Sequence, residues 1–399
     1  MPENNREPQK ELLLGESQIT LLGTAHVSRN SAEKVEELLH SGRYDAVAVE
    51  LCPSRFNALI NPDDLAKMDL FKVVRQGRVM MVMANLALGA YQQRLANQFG
   101  IAPGAEQREA IRIAQESEKP LLLIDREIST TLKRVAGNLS WWKRLTLFTG
   151  LLTSILSKEQ VTEEEIEHLK EGDILETTFA EFAEDRQDLY LPLIDERDRY
   201  MAARIKQEIE KAGHENLLVV IGAGHMNGIA RYLEASEQQT PTSIIEQLEE
   251  EPKPSRWPKI IPWAIALLVV SGFIIGFNRS PELGLELVMD WVLINGGLSA
   301  LGALLAAAHP LTILTAFLAA PLTSLDPAVG AGMVTSLAEV FLRKPTVADF
   351  SQLRDDTTTA KGWWRNRVSR TLLVFLFSTI GSAAGTYIAG FRIFDRLVG

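Results

Sequence analysis

Cysteine is nearly absent: Cys52 is the single one in 399 residues, which excludes a disulfide framework and leaves no sign of an oxidising compartment. Basic character is lacking as well. The net charge of −10 has the wrong sign for a polyanion-binding protein, so no nucleic-acid partner is expected. No apolar stretch precedes the first strand, because the opening Met1-Pro2-Glu3-Asn4-Asn5-Arg6 is polar, so export through a signal peptide is not expected. Charge of either sign is scarce over residues 260–342, whereas residues 1–256 carry most of the acids. The chain therefore divides into a polar part and an apolar part.

Two short runs organise the polar part. Leu217-Leu218-Val219-Val220-Ile221-Gly222 continues into Ala223-Gly224-His225, and Leu21-Leu22-Gly23 continues into Thr24-Ala25-His26. A branched apolar run that stops at glycine suits a strand covered on both faces. Two further strands are expected at 44–49, ending in Glu50 with Arg55 close behind, and at 121–124, ending in Asp125-Arg126-Glu127. Helical spacing of Val35, Leu38 and Leu39, and a helix from Gly104 to Glu118, make these parallel βαβ units. Residues 63–98 are helical in character, with an apolar interior at Val79–Leu88 too short to cross a bilayer and so read as a buried helix. Leu145–Leu156, headed by Trp141-Trp142-Lys143-Arg144, fits an interfacial helix or a core helix equally.

The expected fold is therefore α/β. Residues 1–236 form a soluble domain with a small, mainly parallel β-sheet flanked by helices, 237–258 a charged, proline-containing linker, and 259–399 a C-terminal α-helical membrane domain. Spans are expected at 260–277, 288–308 and 371–391, each near the ~20 residues that cross a hydrocarbon core, with 311–342 broken or re-entrant around Asp326-Pro327. Gly296-Gly297, Gly330-Ala331-Gly332 and Gly381–Gly385 suit close helix packing in lipid. Lys253, Arg256 and Lys259 before the first span, and Arg343 to Arg370 before the last, assign the N-terminal domain to the cytoplasmic side of a multi-pass inner-membrane protein. Arg392 and Arg396 after the last span oppose this.

In an open parallel sheet, ligands gather at the carboxyl ends of the strands. Those ends carry His26, Glu50 with Arg55, Asp125-Arg126 and His225. Two imidazoles and a carboxylate make a donor set for a divalent transition metal such as Zn, Mn or Co, which could polarise a carbonyl or lower the pKa of water to about 7. Blander readings stand beside this one. Either histidine alone is more often an ordinary hydrogen-bonded residue, Asp125-Arg126 can be a local ion pair, and Glu196-Arg197 a solvated helix face. Cys52 beside Glu50 is a soft donor, or an inert buried thiol.

Gly23-Thr24-Ala25-His26-Val27-Ser28, Val49-Glu50-Leu51-Cys52-Pro53-Ser54-Arg55, Ile124-Asp125-Arg126 and Gly222-Ala223-Gly224-His225 resemble the motifs of the TraB/PrgY family, relatives of the Tiki proteins. The resemblance covers nearly the whole chain and implies a metallohydrolase site with His26, Glu50 and His225 on the motif positions and Arg55 and Arg126 on adjoining ones. It also implies a peptide or protein substrate, since Tiki relatives are metal-dependent proteases acting on a secreted signal protein and PrgY-type members limit a peptide pheromone. A cytoplasmic site does not meet a secreted substrate, so the chemistry carries over and the substrate does not.

The expected function is a membrane-anchored metal-dependent hydrolase, a peptidase. The metal sits on His26, Glu50 and His225, Arg55 or Arg126 stabilises charge on the carbonyl oxygen, and Asp125 or Glu196 serves as base or extra ligand. Two other classes compete: a non-catalytic membrane protein that sequesters a peptide, and a transporter with a regulatory soluble domain. The few ionisable residues in the spans, Glu286, Asp290, Asp326 and Glu339, count against transport. Homo-oligomers remain open.

Overall fold

The structure, a computed structural model, describes residues 7–24, 29–60, 69–99, 104–140, 142, 143, 146, 186–236, 238–252, 257–326 and 329–398. The chain forms two compact units, one of Met1–Pro62 with Gln92–Lys253 and one of Asp63–Tyr91 with Pro254–Gly399.

In the first unit five strands, β1 (Gln9–Leu14), β2 (Ser17–Thr24), β3 (Ala46–Val49), β4 (Leu121–Leu123) and β5 (Asn216–Gly222), lie in the order β1-β2-β5-β3-β4. β2, β5, β3 and β4 run parallel, with Thr24 level with Gly222, and Val49 level with both Val220 and Leu123. Side chains alternate between the two faces with the period of 2 that a strand imposes. Ile19, Leu21, Ala46, Ala48, Leu217, Val219 and Ile221 pack with Met201 and Ile205 of helix Glu196–Ala212 and with Ile229 and Leu233 of helix Ala223–Glu234. Leu22, Val47, Val49, Leu218 and Val220 pack the other way, against Val35 and Leu39 of helix Arg29–His40 and Ile111 and Ala114 of helix Ala105–Glu116. Cover on both faces is why these strands read as continuous apolar runs.

β1 departs from the sequence reading, which leaves residues 9–14 in a polar tail. They pair antiparallel with β2, from Leu14 opposite Ser17 to Gln9 opposite Leu22. The two-residue loop Gly15-Glu16 has Gly15 at φ +63°, the conformation that a tight hairpin takes from glycine. As an edge strand β1 alternates between exposed and half-buried positions and so carries no buried run. The charged stretch read as a linker also holds structure. Helix Pro241–Glu249, capped by Thr240, buries Ile244, Ile245 and Leu248 against Tyr200 and Ala203. The stretch 145–156, with its open reading, lies outside the described residues apart from Thr146.

The second unit is helical among its described residues. Helices 260–279, 281–305 and 367–398 are long and apolar enough to cross a membrane. The expected second span is shifted: Ser280 Oγ accepts from Leu283 N at 3.1 Å, starting helix Pro281–Leu305, and Ala307 at φ +54° lies just beyond its end. The broken segment consists of helices Pro310–Thr323 and Ala331–Arg343, of 14 and 13 residues. Each is about 20 Å long at 1.5 Å per residue, against a hydrocarbon core of ~30 Å. Glycine sets the approach of helices 281–305 and 367–398: a Cβ on Gly302 would stand 2.1 Å from Phe377 O, and one on Gly381 2.2 Å from Leu298 O. Between these helices Asn295 is fully buried and donates to Ser324 Oγ at 3.0 Å and Thr386 Oγ1 at 2.9 Å. Arg392 and Arg396 are both ion-paired to Asp290, and Arg396 also to Glu286. Both acids lie on the neighbouring helix 281–305. Helix Leu70–Arg75 belongs to this unit and packs on helix 331–343.

Candidate functional site

Strand register brings the functional side chains to one rim. Because β3 stops at Val49 while β5 runs on to Gly222, Glu50 stands beside the end of β5 and its N–H donates to Val220 O at 3.1 Å. Its buried carboxylate accepts from Gly222 N at 2.7 Å through Oε2 and from Arg197 Nη2 at 2.7 Å through Oε1. Asp125, just beyond β4, takes a two-pronged contact from the same guanidinium, Nε to Oδ1 at 3.0 Å and Nη2 to Oδ2 at 2.9 Å. Arg55 Nη1 lies 3.6 Å from Asp125 Oδ2, with its side chain 38% exposed. His225, in the first turn of helix 223–234, has Nδ1 2.5 Å from Asp198 Oδ1 and Nε2 3.2 Å from Arg197 Nη1 and 3.5 Å from Glu50 Oε1. Asp198 as acceptor places a proton on Nδ1, and Nε2 faces Arg197 and Glu50.

Arg197 and Asp198 come from the run Asp195-Glu196-Arg197-Asp198, in which these two converge on His225 while Asp195 and Glu196 turn to other partners. Asp195 accepts from Arg231 Nη2 at 2.7 Å and Tyr232 OH at 2.9 Å. Glu196 accepts from Arg126 Nη1 at 2.9 Å and from Arg134 Nε and Nη2 at 2.6 and 2.8 Å. A π turn, Leu191–Asp195, precedes them, and its Leu193 O accepts from Arg197 Nη1 at 3.2 Å. Asp198 reaches His225 past a notch: a Cβ on Gly228, one turn along the histidine's own helix, would sit 1.9 Å from Asp198 Oδ2.

The structure thus brings together Glu50, Asp125, Arg55 and His225 of the residues expected from sequence. His26 lies outside the described residues. Arg126 and Glu196 turn to each other in a second network. The Arg126 side chain is fully buried and donates to Thr131 Oγ1 at 3.1 Å, Leu248 O at 3.1 Å and Pro192 O at 2.9 Å besides Glu196. That arginine ties helix 241–249 to the α/β unit. Cys52 is buried and lies 3.2 Å from Ser54 Oγ.

The solvated-face reading of Glu196-Arg197 does not hold. Arg197 is a cation that meets Glu50. A signal existed in the sequence: Ile194, Asp198, Met201 and Ile205 recur at helical spacing, so the carboxylate of Asp198 shares the buried stripe of its helix. Gln107 was also missed. Its Nε2 donates to Val220 O at 3.4 Å, and its buried Oε1 has no hydrogen-bond partner among the described residues.

Burial and opposite charge compete throughout the site. Burial disfavours the Arg197 cation, but Asp125 and Glu50 outweigh it and raise its pKa above the ordinary arginine range. Burial pushes the Asp198 carboxyl up to about 6, against the pull of His225 and Arg197. Burial works against the His225 imidazolium, yet the charge of Glu50 and the bond to Asp198 leave its pKa raised. Both members of the His225–Asp198 pair are therefore shifted upward, the carboxyl by burial and the imidazole by the neighbouring carboxylates.

The donor chemistry suits a divalent metal in two respects. Glu50 Oε1 and His225 Nε2 converge, and the other imidazole nitrogen is held by a carboxylate, as metal-bound histidines commonly are. Arg197 lies at the same two atoms. Among the described residues no group of three His, Cys, Asp or Glu side chains is arranged to hold a metal.

Fold and site define an α/β unit with a charged rim at the carboxyl ends of its parallel strands, in one chain with a helical unit. Residues 13–242 match the TraB/PrgY/gumN family and residues 257–398 the C-terminal domain of TraB family proteins, so the chain belongs to the TraB/PrgY/gumN family. It is 33% identical over 380 residues to an uncharacterised protein of Methanocaldococcus jannaschii, covering 94% of each chain. Over 239 residues it is 29% identical to the TraB domain-containing proteins of Homo sapiens and Mus musculus, covering 54% of this chain and 62% of theirs.

The notch at Gly228 predicts a coupled pair. Gly228→Ala should lower the unfolding free energy by about 1–3 kcal/mol through overpacking against Asp198, read by thermal unfolding of the full chain. In an Asp198→Ala background the same change should cost much less. Equal costs in both backgrounds would show that the carboxylate is not what the glycine accommodates.

Proposed function

We propose that the chain is a membrane-anchored, metal-dependent hydrolase of peptide or protein substrates. The observation that carries this reading is the convergence of His225 Nε2 and Glu50 Oε1, with Asp198 fixing the imidazole, at the ends of adjacent parallel strands. Glu50 and His225, with His26 from the family motif, would hold the metal, which supplies polarisation of a scissile carbonyl or a lowered water pKa. Asp198 orients His225 and shares its proton. Arg197 pairs with Glu50 and Asp125 at the rim, and Arg55, the more exposed cation, is available to charge developing on a substrate oxygen. Asp125 is an acceptor shared by both arginines, and Glu196 serves the structural network around Arg126.

One observation favours a second reading. Arg197 already engages both donor atoms, as it would in a protein that binds a peptide at this rim without cutting it. Metal analysis of the purified full chain, with a peptide-library cleavage screen, separates the two. The hydrolase reading expects bound Zn, Mn or Co and cleavage, with His225→Ala and Glu50→Gln each falling below about half an equivalent of metal and losing turnover. Metal-free protein after incubation with each of these ions sinks the metal reading, and metal without cleavage favours sequestration.

The α/β unit is assigned to the cytoplasmic side of the inner membrane, because the basic residues that precede the first and last spans outnumber the opposing Arg392 and Arg396. An impermeant thiol reagent should reach Leu13→Cys in inverted vesicles and not in intact cells. Labelling in intact cells would reverse the topology.

A further inference from the structure

Residues 69–91 were expected inside the soluble domain, with Val79–Leu88 as a buried core helix, yet they belong to the unit that holds the three span-length helices. Asp69 Oδ1 caps helix 70–75 by accepting from Lys72 N at 3.0 Å. Gly77 at φ +67° turns the chain into helix Val79–Phe99. Leu70, Val74, Val79 and Met83 are buried, as a core reading requires. The opposite side is not what a soluble protein shows. Phe71, Met80 and Met81 are 50%, 40% and 37% exposed, and exposed Lys72, Arg75 and Arg78 are interleaved with them.

Large apolar side chains mixed with cations on one short helix-turn-helix are the composition of an interfacial anchor, in which apolar groups enter the acyl boundary and cations meet lipid phosphates. Two observations say what covers this surface. Helix 70–75 packs on helix 331–343, a member of the same bundle as span-length helix 367–398. Helix 331–343 itself ends in Arg343 and Lys344, at the head of a basic segment running to Arg370, which is the flank that faces anionic lipid under the positive-inside rule.

We propose that residues 70–83 form an interfacial lipid anchor, seating Phe71, Met80 and Met81 at the headgroup–acyl boundary and Lys72, Arg75 and Arg78 on anionic headgroups. The proposal rests on the membrane reading of the helical unit. It gives the α/β unit a second attachment besides the connection before residue 257, because the chain leaves that unit after Pro62 and returns to it at Gln92.

Cys52, fully buried, makes the test simple, since the native protein should take up little thiol label. Single variants Phe71→Cys, Met81→Cys, Leu13→Cys and Leu268→Cys of the full chain are labelled with a polarity-sensitive fluorophore. They are then placed in vesicles of phosphatidylcholine and phosphatidylglycerol carrying nitroxide-labelled lipids, either shallow or deep. Position 268, exposed in the first span-length helix, should be quenched by deep nitroxides. Positions 71 and 81 should be quenched by shallow ones at least about twofold more than position 13 on β1. If 71 and 81 behave like 13 while 268 is quenched, the anchor is wrong and the membrane reading stands. If 268 is not quenched, the membrane reading itself fails. Replacing Lys72, Arg75 and Arg78 together by Glu should reduce shallow quenching at 71 and 81 in the anionic vesicles, and unchanged quenching would overturn the role given to the cations.

Discussion

One half-buried guanidinium conditions the rest of the α/β unit. Glu50, Asp125 and Asp198 are brought close together by β3, β4 and helix 196–212, and carboxylates withdrawn from water are stable in ionised form only beside compensating charge. Arg197 supplies that charge to Glu50 and Asp125 with four side-chain contacts of 2.7–3.2 Å, counting its approach to His225. Breaking one member of such a buried set costs about 3–5 kcal/mol, far more than an exposed pair contributes. The same group that gives the rim its chemistry therefore also clasps three segments far apart in sequence.

The neighbouring residue in the chain plays a different part. Glu196 sits between Arg126 and Arg134, away from the imidazole, and Arg126 spends its remaining donors on the carbonyls of Pro192 and Leu248. Adjacent positions at the head of a helix point about 100° apart, so a run of four charges can serve three separate groups of partners. This is why Arg126 and Glu196, plausible site residues when read as types, belong to the packing of helix 241–249.

The strands and their ends were legible because both faces of the sheet are covered, and continuous apolar runs ending in glycine mark such strands plainly. Glu50, Asp125 and His225 follow from those ends. β1 was hidden because an edge strand alternates between water and a thin cover, which looks like a polar tail, and helix 241–249 was hidden by the prolines and charges around three buried residues. Arg197 and Asp198 were concealed by charge: a run of four ionisable residues suggests solvent until the helical spacing from Ile194 to Ile205 is followed through. In the helical unit the apolar runs gave the span-length helices, while their ends depended on the Ser280 cap and the break at Ala307, which hydropathy does not register.

The claim that Arg197 is the cation organising the rim is tested most directly by a double-mutant cycle with Asp125. Unfolding free energies of the full chain, of Arg197→Gln, of Asp125→Asn and of the double variant give the coupling between the two side chains, provided each substitution leaves the fold intact. A buried, two-pronged charge pair predicts a favourable coupling of at least about 1.5 kcal/mol. A coupling near zero would mean that Arg197 does not hold the carboxylates together, and the account of the site would be wrong at its centre.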